Sequence, residues 1–497
     1  MLLKRKYQTN SHSISQSAKT TIEQLHRSAD FVTDELTASN PFRIHYYKTL
    51  VNQRSIHNIV LRYLKSQDMN TLEEVQELLP VEGIKKLGFQ HSVQDELLRG
   101  NLIVVEKNNP QTLLSIPLRK TEQRAVEITE NEFTVLGPKE AFIEALDVNI
   151  NLIRKQFHNT HLIIREQTVG SEGKNTAAIM YVETIASKQN VNTMIQRLED
   201  LSYDEPIDVS QLGHLISDNP NSPFAQLLGT ERPDRVLAAL NEGKVVTMLD
   251  GSPMALIGPT NLYEFFSSPD DNYVLWPVGS FIRMMRIFGV LFSVISTSLY
   301  IAITTYHHEL IPNDLLTTMI SSRIEVPYPP IVEVLFLEIT IELLREGGAR
   351  LPNRIGQTIG IVGGIVIGTA VVEASLASSV LLIIVSLTAL ASFTTPTYQM
   401  GNTIRLIRFP FILFSQWLGF LGISICSLLF LVHLLNLKSL GNPYMAPIYP
   451  FRWGDLRNSL AVLPVRMQNM RPSFLRPQKT KRFSPRPLNH QSEDIEE

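Results

Sequence analysis

The stretch GQTIGIVGGIVIGTAVV (356–372) decides how the C-terminal part of this chain is organised. It is apolar over a length that can enter a lipid bilayer, and its glycines recur every four residues, at Gly356, Gly360, Gly364 and Gly368. Residues four apart stack on one helix face, and glycine there lets another backbone approach closely, which is how helices associate in lipid. We therefore predict a packing face on this helix, used either inside one subunit or at an oligomer seam or pore wall.

The segment before this helix, IVEVLFLEITIELLREGGARLP (331–352), carries ionisable side chains among apolar ones. On a helical wheel Glu338, Glu342 and Arg345 fall on one side, while Glu333 stands apart. Charged groups at membrane depth rarely face lipid, and they often mark an ion path. The pattern therefore fits two structures, an amphipathic helix at the membrane interface or a charged helix beside an ion path.

The composition of the 497 residues separates two parts of the chain. Mean hydropathy is close to zero, because a polar N-terminal half is averaged with a C-terminal part in which long apolar runs gather. The formal net charge of -3 and the lack of a basic, aromatic-studded patch before the apolar part argue against a nucleic-acid partner. The single cysteine, Cys426, lies within an apolar run, so an internal disulfide is excluded.

Motifs that would indicate an enzyme are absent from the sequence. It contains no GxxxxGK[ST] phosphate loop, no GxSxG elbow, no HExxH helix and no paired-cysteine metal site. The adjacent His307 and His308, with Glu309, lack a third ligand at helical spacing, and we interpret them as a solvated loop. We predict that the chain is not an enzyme and needs no metal or other cofactor.

Apolar periodicity and turn residues divide the chain into six predicted regions. They are a mobile N-terminal arm (1–20), a helical subdomain (21–99), an α/β subdomain (100–202), a second α/β subdomain with membrane-proximal elements (203–275), a membrane domain (276–437) and a basic cytoplasmic tail (438–497). Within the second α/β subdomain, Asp250 and Gly251 lie between two short apolar runs and predict a hairpin. The predicted fold class is an α+β cytoplasmic N-terminal domain of two small subdomains followed by an all-α transmembrane domain.

Four segments approach the ~20 residues that cross a hydrocarbon core, at about 284–305, 356–373, 376–394 and 409–437, and the charged segment 331–346 is a fifth candidate. Both ends of the chain are predicted to be cytoplasmic, because the start lacks the apolar core of a secretory signal and the tail is rich in Arg and Lys. An even number of spans is then required, and we predict four. This arrangement places Arg350 and Arg354 on the outer side, against the positive-inside bias.

Five long motifs, in the right order, resemble the A subunit of the GerA-type spore germinant receptors over residues 25 to 450. They are VLGPKEAFIEALDVNINLIRKQ (135–156), TERPDRVLAALNEGKVVTMLDGSPMALIGP (230–259), FFSSPDDNY (265–273), VPYPPIVEVLFLEITIELLREGGARLP (326–352) and IGQTIGIVGGIVIGTAVVEA (355–374). The resemblance implies a protein of the inner membrane of dormant endospores with a cytoplasmic two-part N-terminal domain. It also implies two partners, a transporter-like B subunit that binds the nutrient and a lipoprotein C subunit.

The resemblance further implies a mechanism. Subunits of this kind assemble as a homo-oligomeric ring around an ion path, which opens when the B subunit senses nutrient and so starts germination. The pore-lining candidates here are Val362 and Gly363, in the helix that also carries Gly360 and Gly364.

Three alternatives to a receptor channel subunit stay open at this point. One is the related A-like channel subunit of the dipicolinate-release system. Another is a solute transporter, although the candidate spans show none of the inverted-repeat symmetry typical of that class. The last is a non-conducting scaffold that docks partners through its large cytoplasmic domain.

Overall fold

The computed structural model describes residues 24–35, 41–66, 69, 71–88, 93–107, 112–120, 132, 136–350 and 364–483. Two antiparallel sheets with flanking helices occupy the N-terminal half of this part of the chain, and helices make up most of the C-terminal half. The α+β region followed by a mostly helical region was predicted from the sequence and is confirmed.

The first sheet and the helices that cover it lie within residues 24–120. In chain order the elements are β1 (Phe31–Glu35), β2 (Phe42–Tyr47), α1 (Gln53–Ser55, a π-helical turn Ile56–Leu61 and Arg62–Ser66), α2 (Leu72–Leu78), β3 (Lys85–Gly88), α3 (Val93–Leu98), β4 (Asn101–Glu106) and β5 (Thr112–Pro117). The strand order is β1-β2-β4-β5-β3. Side chains alternate along a strand, so in β4 Leu102 and Val104 pack with α1 and α2, whereas Ile103 and Val105 pack with α3.

The second sheet lies within residues 136–266 and repeats this plan. Its elements are α4 (Leu146–Gln156), β6 (Leu162–Val169), β7 (Asn175–Val182), α5 (Lys188–Glu199), α6 (Val209–Leu215), β8 (Leu228–Thr230), α7 (Pro233–Glu242), β9 (Val245–Leu249) and β10 (Ala255–Gly258). The strand order is β6-β7-β9-β10-β8. In β7, Ala178 and Met180 face the cluster that contains α4 and α7, while Ala177 and Ile179 face α5 and α6.

A buried ion pair holds the two sheets together. Arg154 in α4 donates from Nε to Asp30 Oδ2 at 2.9 Å and from Nη2 to Asp30 Oδ1 at 2.8 Å. Both side chains are 0% exposed, and the guanidinium lies 4.6 Å from the centre of the Tyr47 ring. Because an unpaired buried charge costs several kcal/mol, this contact fixes how the first sheet sits on the second.

The structure describes seven α-helices between residues 276 and 436. They are α8 (Trp276–Tyr306), α9 (Asn313–Arg323), α10 (Pro330–Ala349), α11 (Gly364–Glu373), α12 (Ser379–Ser392), α13 (Tyr398–Leu418) and α14 (Phe420–Asn436). Among the described residues, one helix, α8, is long and apolar enough to cross a membrane. Helices α11, α12 and α14 are apolar but shorter.

We call the end of this region at which α8 begins, beside the second sheet, the domain end. The end at which α8 finishes is the far end. α13 starts at the domain end, where Thr397 Oγ1 donates to the Phe265 carbonyl at 3.1 Å. It stops at the far end, where the Tyr306 hydroxyl donates to the Gln416 carbonyl at 2.6 Å. α14 returns to the domain end, and its His433 packs against the ring of Phe224 in the second-sheet domain.

α10 and α12 also run toward the domain end. Both begin near the far end, where the Ser378 amide donates to Glu333 at 3.1 Å and the Ser378 hydroxyl lies 3.2 Å from that of Tyr300. Further along α10, Glu342 lies 3.9 Å from Arg405, which is in the second turn of α13. The region is therefore a bundle in which α8 and α13 run from the domain end to the far end, while α10, α12 and α14 run back.

The chain after α14 packs back on the second sheet through a short hairpin, β11 (Lys438–Ser439) with β12 (Asn442–Pro443), followed by α15 (Trp453–Leu460). The Ser439 hydroxyl donates to the Gln226 carbonyl at 2.6 Å, and the Tyr444 hydroxyl donates to the Ala225 carbonyl at 2.7 Å. The region predicted as a basic tail (438–497) is thus, over its described residues up to 483, a structured segment at the domain end.

Two predicted subdomain boundaries are wrong. The helical subdomain (21–99) contains β1, β2 and β3, which pair with β4 and β5 from beyond its boundary. Likewise β8, β9 and β10 from the predicted second α/β subdomain (203–275) complete one sheet with β6 and β7. The hairpin at Asp250 and Gly251 is confirmed, since β9 pairs with β10 and Gly251 has φ +84.

The predicted span 409–437 is also wrong, because it is two helices and not one. Gly419 has φ +58 and ends α13. The rings of Phe411 and Phe430 then stack 5.7 Å apart across the turn, so α13 and α14 form a tight helical hairpin. The other candidate spans correspond to α8, α10, α11 and α12, with residues 351–363 and the arm (1–20) outside the described part of the chain.

A buried histidine makes the first sheet sensitive to pH. His45 in β2 is 4% exposed, and its Nδ1 lies 2.8 Å from the Thr33 hydroxyl. Burial, with smaller effects of the nearby His26 and Arg43, lowers the pKa of His45 from 6.5 to about 4. Between the two pKa values the histidine is protonated in the unfolded chain but neutral in the folded chain. The free energy of unfolding therefore falls as the pH drops through this window.

We expect the first sheet to lose about 2 kcal/mol of stability from this histidine between pH 7 and pH 5. His45→Gln keeps a polar partner for Thr33 but cannot titrate, so its stability should change less over this range. Pulse proteolysis of the full chain in urea, following peptides of the first sheet, measures both. Equal pH dependence in the two proteins would contradict the assignment.

Candidate functional site

The charged helix predicted from the sequence is α10, and its central carboxylate is buried against α13. Glu338 Oε2 accepts a hydrogen bond from Arg408 Nη1 at 2.5 Å, and both side chains are 5% exposed. Glu338 Oε1 and the Nε and Nη2 atoms of Arg408 find no partner among the described residues. An ion pair in the interior with unused donors and acceptors is typical of a polar path or of a contact completed by another molecule.

The other two residues of the predicted charged face lie one turn nearer the domain end. Arg345 pairs with Glu342 within α10, and the opposite oxygen of Glu342 lies 3.9 Å from Arg405 of α13. Arg345 Nε and Arg405 Nε are buried and have no hydrogen-bond partner within the described part of the chain. Glu338, Glu342, Arg345, Arg405 and Arg408 thus form one cluster, the α10–α13 charge cluster, in which three arginines face two carboxylates.

Glu333 stands apart from this cluster, as the helical wheel indicated. It is fully buried and accepts from Arg323 Nη2 at 2.9 Å and from the Ser378 amide at 3.1 Å. Ser378 is the N-cap of α12, so Glu333 joins the end of α9, the start of α10 and the start of α12. Its role is to hold the far end of the bundle together.

The glycine face is only partly within the described residues. Gly356, Gly360, Val362 and Gly363 lie outside them, so the pore candidates stay predictions. A Cβ added at Gly364 would meet no described atom within 4 Å, and one at Gly368 would only touch Leu382 Cδ2 at 3.8 Å. With respect to the described residues the face is therefore open at Gly364 and close to α12 at Gly368, whereas Ile367 and Val371 of α11 pack inside the bundle.

At the domain end, one carboxylate holds the start of α8. Asp271 is 2% exposed and lies within the short turn Pro269–Asn272. Its Oδ1 accepts from Arg286 Nη2 at 3.0 Å, and its Oδ2 accepts from Arg286 Nη1 at 3.1 Å and Arg283 Nε at 3.3 Å. Two arginines of the first long helix are therefore bound by a carboxylate of the segment that leaves the second sheet.

The neighbouring carboxylate faces the opposite way, into the second-sheet domain. Asp270 Oδ1 accepts from Arg232 Nη1 at 3.0 Å, and Arg232 also donates to both oxygens of Asp234 at 3.0 and 2.8 Å. The Tyr273 hydroxyl donates to Asp234 Oδ2 at 2.8 Å. Although burial opposes it, hydrogen bonds from Arg232 and Tyr273 hold the pKa of Asp234 below its usual range, while burial and that same bond raise the pKa of Tyr273 to about 12.

These two networks form one joint, the Asp270–Asp271 joint, between the sheets and the helices. Consecutive residues on a short turn present their side chains to different elements, so one reaches α7 and its N-terminal Arg232 while the other reaches α8. Any rotation of the second sheet relative to α8 must strain or break these ion pairs. The joint can therefore transmit movement in either direction.

Sequence reasoning missed Arg405 and Arg408 as functional candidates, and it did not pair Asp271 with the arginines of α8. The signal for the first two was present, since Arg405 and Arg408 are basic residues three apart in an apolar run without a nearby acid. Within the described residues no group of acidic, histidine and cysteine side chains could hold a metal ion. The arrangement supports charge transfer or mechanical coupling through ion pairs.

Comparison with known proteins identifies relatives of this chain. A family model described as Bacillus/Clostridium GerA spore germination protein matches residues 19–474. The chain is 46% identical over 465 residues to spore germination protein GerQA of Bacillus cereus, covering 93% of each protein. It is 41% identical over 470 residues to spore germination protein GerIA of the same species, covering 94% of this chain and 70% of the relative.

A solved structure is also similar, the crystal structure of the N-terminal domain of the A subunit of the Bacillus megaterium spore germinant receptor GerK3. The match has 22% sequence identity and a TM-score of 0.37, and it covers 49% of this chain and 94% of that chain.

The buried pair Glu338–Arg408 gives a testable prediction. Arg408→Met should cost about 3 to 5 kcal/mol, because it leaves a carboxylate buried without its partner. The double variant Glu338→Leu/Arg408→Met should recover most of that loss, since an apolar pair of similar volume replaces the ion pair. Denaturation of the purified full chain in detergent provides the measurement.

Arg345→Met is the matched control, because its ion pair with Glu342 is partly exposed and such pairs contribute about 0 to 1 kcal/mol. If Arg408→Met lowers the stability no more than Arg345→Met does, Glu338 does not depend on Arg408. The same conclusion follows if the double variant is no more stable than Arg408→Met alone.

Proposed function

The chain belongs to the Bacillus/Clostridium GerA family of spore germination proteins, and from this premise we propose that it is the A subunit of a nutrient-germinant receptor that forms or gates an ion path. One observation carries the proposal. The helical region has a charged pair in its interior, Glu338 and Arg408 of the α10–α13 charge cluster, and large apolar side chains on its surface, such as Phe281, Met284 and Phe288 of α8. Water-soluble proteins have the opposite distribution, whereas intramembrane charges facing a protein interior mark ion or proton paths.

The bundle is proposed to lie in the inner membrane of the spore with its domain end toward the cytoplasm. α8 and α13 run away from the domain end, α10, α12 and α14 run toward it, and α11 joins α12 through a short turn at the far end. Counting α11, this makes six alternating passes, an even number, in place of the four predicted from the sequence. Arg350 then follows the cytoplasmic end of α10, which agrees with the positive-inside bias that the four-span topology violated.

The open glycine face of α11 is proposed as a seam between identical subunits. A helix in lipid that exposes small residues has a surface on which another backbone can pack closely, and Gly364 leaves such space unfilled by described residues. Val362 and Gly363, offset from that face, are the proposed pore residues. An assembly of this kind would place an ion path at the common axis, with the charge cluster of each subunit behind it.

The nutrient is proposed to bind elsewhere in the complex, on a transporter-like B subunit, with a lipoprotein C subunit as the further partner. The ion pairs that link the second sheet to α8 support a role in transmission. The Asp270–Asp271 joint is the element through which a movement of the cytoplasmic sheets would reach α8 and then the ion path.

Ion flux through the purified full chain in liposomes tests this function. We expect flux without saturable uptake of a solute, because a channel does not turn over a substrate. Gly364→Leu should weaken subunit association by about 1 to 3 kcal/mol through overpacking and reduce flux with it, whereas Val362→Phe should change flux with assembly intact. Chemical crosslinking reports assembly in the same samples.

Gly347→Leu provides the matched control, since Gly347 is an exposed helical glycine with no described atom within 4 Å of an added Cβ. It should leave assembly and flux unchanged. No flux from the wild-type chain would favour a scaffold, and saturable solute uptake would favour a transporter.

A further inference from the structure

A deep cleft lies at the domain end of α8 and has no role in the proposed ion path. Its volume is about 1280 Å³, and its walls come from α7, the start of α8, α15 and residues 464–483. The walls thus combine the second-sheet domain, the first long helix and the C-terminal segment. The cleft is therefore in contact with both the second-sheet domain and the bundle.

The cleft has a surplus of positive charge. Six arginines line it against three carboxylates, namely Arg283, Arg452, Arg457, Arg466, Arg471 and Arg482 against Glu242, Glu264 and Asp455. The carboxylates are already engaged: Glu264 pairs with Lys244 at 2.7 Å, Glu242 with Arg482 at 2.8 Å, and Asp455 accepts from Ser473. Further positive charge therefore faces the cleft without an acidic partner.

Three of the arginines carry that charge. Arg457 and Arg466 are exposed, and neither has an ion-pair or hydrogen-bond partner among the described residues. Arg471 is buried and donates only to carbonyl groups, those of Asn241 at 2.7 Å and Lys479 at 3.0 Å among them. Guanidinium groups without an acidic partner can bind an oxyanion, and phosphate accepts two parallel N–H bonds from a single arginine.

The exposed apolar surface of α8 begins at the edge of the cleft. Leu275 and Trp276 line the cleft, and Val278 and Phe281 continue the apolar surface along the helix. On the opposite wall, the exposed Trp453 opens α15. Tryptophan at such a boundary is typical of the membrane–water interface, so the arginines lie at the depth of lipid headgroups.

We propose that this cleft binds an anionic phospholipid, with its headgroup phosphate held by Arg457, Arg466 and Arg471 and its acyl chains along the apolar start of α8. The inference rests on the proposed function only in placing α8 in a bilayer. The phospholipid would bridge α15 and α8, and it would hold the C-terminal segment close to the Asp270–Asp271 joint.

Native mass spectrometry of the full chain tests the site, using protein purified in neutral detergent with phosphatidylglycerol and phosphatidylcholine added in equal amounts. The wild type should retain phosphatidylglycerol preferentially. Arg457→Gln/Arg466→Gln should weaken that retention by about fivefold for each arginine removed. Lys479→Gln/Lys481→Gln removes the same charge from exposed residues of the same segment that do not line the cleft, and it should match the wild type.

Equal loss in both double variants would reduce the effect to nonspecific charge and overturn the site, as would unchanged retention in Arg457→Gln/Arg466→Gln. Soluble glycerol phosphate should not displace the lipid at equal concentration, because it lacks the acyl chains; full displacement would overturn the lipid as the occupant. Lipid retention in detergent does not depend on ion conductance. A chain that fails to retain phosphatidylglycerol can therefore still form the ion path, and a chain that does not conduct ions can still retain the lipid.

Discussion

Two consecutive carboxylates, Asp270 and Asp271, hold the structure of this protein together. One binds the arginine that precedes α7, and the other binds two arginines at the start of α8. Buried charges of this kind are costly unless each is paired, so the second sheet and the first long helix have one favourable relative position. The first sheet is tied to the second by the same physics, through Arg154 and Asp30.

The direction of every later element follows from that constraint. α8 leaves the second sheet, and the helices after it alternate until α14 returns to the same sheet. The C-terminal segment then packs against the second-sheet domain through Ser439 and Tyr444. The domain end of the bundle is consequently enclosed by sheets, the joint and the C-terminal segment, while the α10–α13 charge cluster lies within the bundle. This order of parts suits a protein in which a change in the sheets alters a path between helices.

Local pattern was enough to predict some of these features. The Asp250–Gly251 turn needs a residue at positive φ, and the apolar runs on either side became β9 and β10. The spacing of Glu338, Glu342 and Arg345 placed them on one helix face, and they lie in one charge cluster. The long motif around Asp270 and Asp271 also carried the resemblance to the family, although its physical role was not evident.

Long-range pairing was what the sequence could not disclose. β4 and β5 complete a sheet with β1, β2 and β3, from which helices separate them along the chain. Strand pairing depends on the whole domain and not on local periodicity. The break at Gly419 was hidden, since a glycine within an apolar run is tolerated by one long helix and is also able to end it. Arg408 has no acid near it in sequence, so its partner Glu338 emerged only from the packing of α10 on α13.

The most direct test of this account is the side of the membrane on which each end of the bundle lies. Cysteines at Thr317 in α9 and at Lys479 in the C-terminal segment, each alone in a Cys426→Ser background, can be labelled with an impermeant maleimide on protoplasts. Both positions are exposed in the structure, and they lie at opposite ends of the bundle. We predict that the cysteine at Thr317 is labelled from outside and the cysteine at Lys479 only after permeabilisation. Labelling of both from the same side would contradict the alternating bundle and the cytoplasmic position of the sheets.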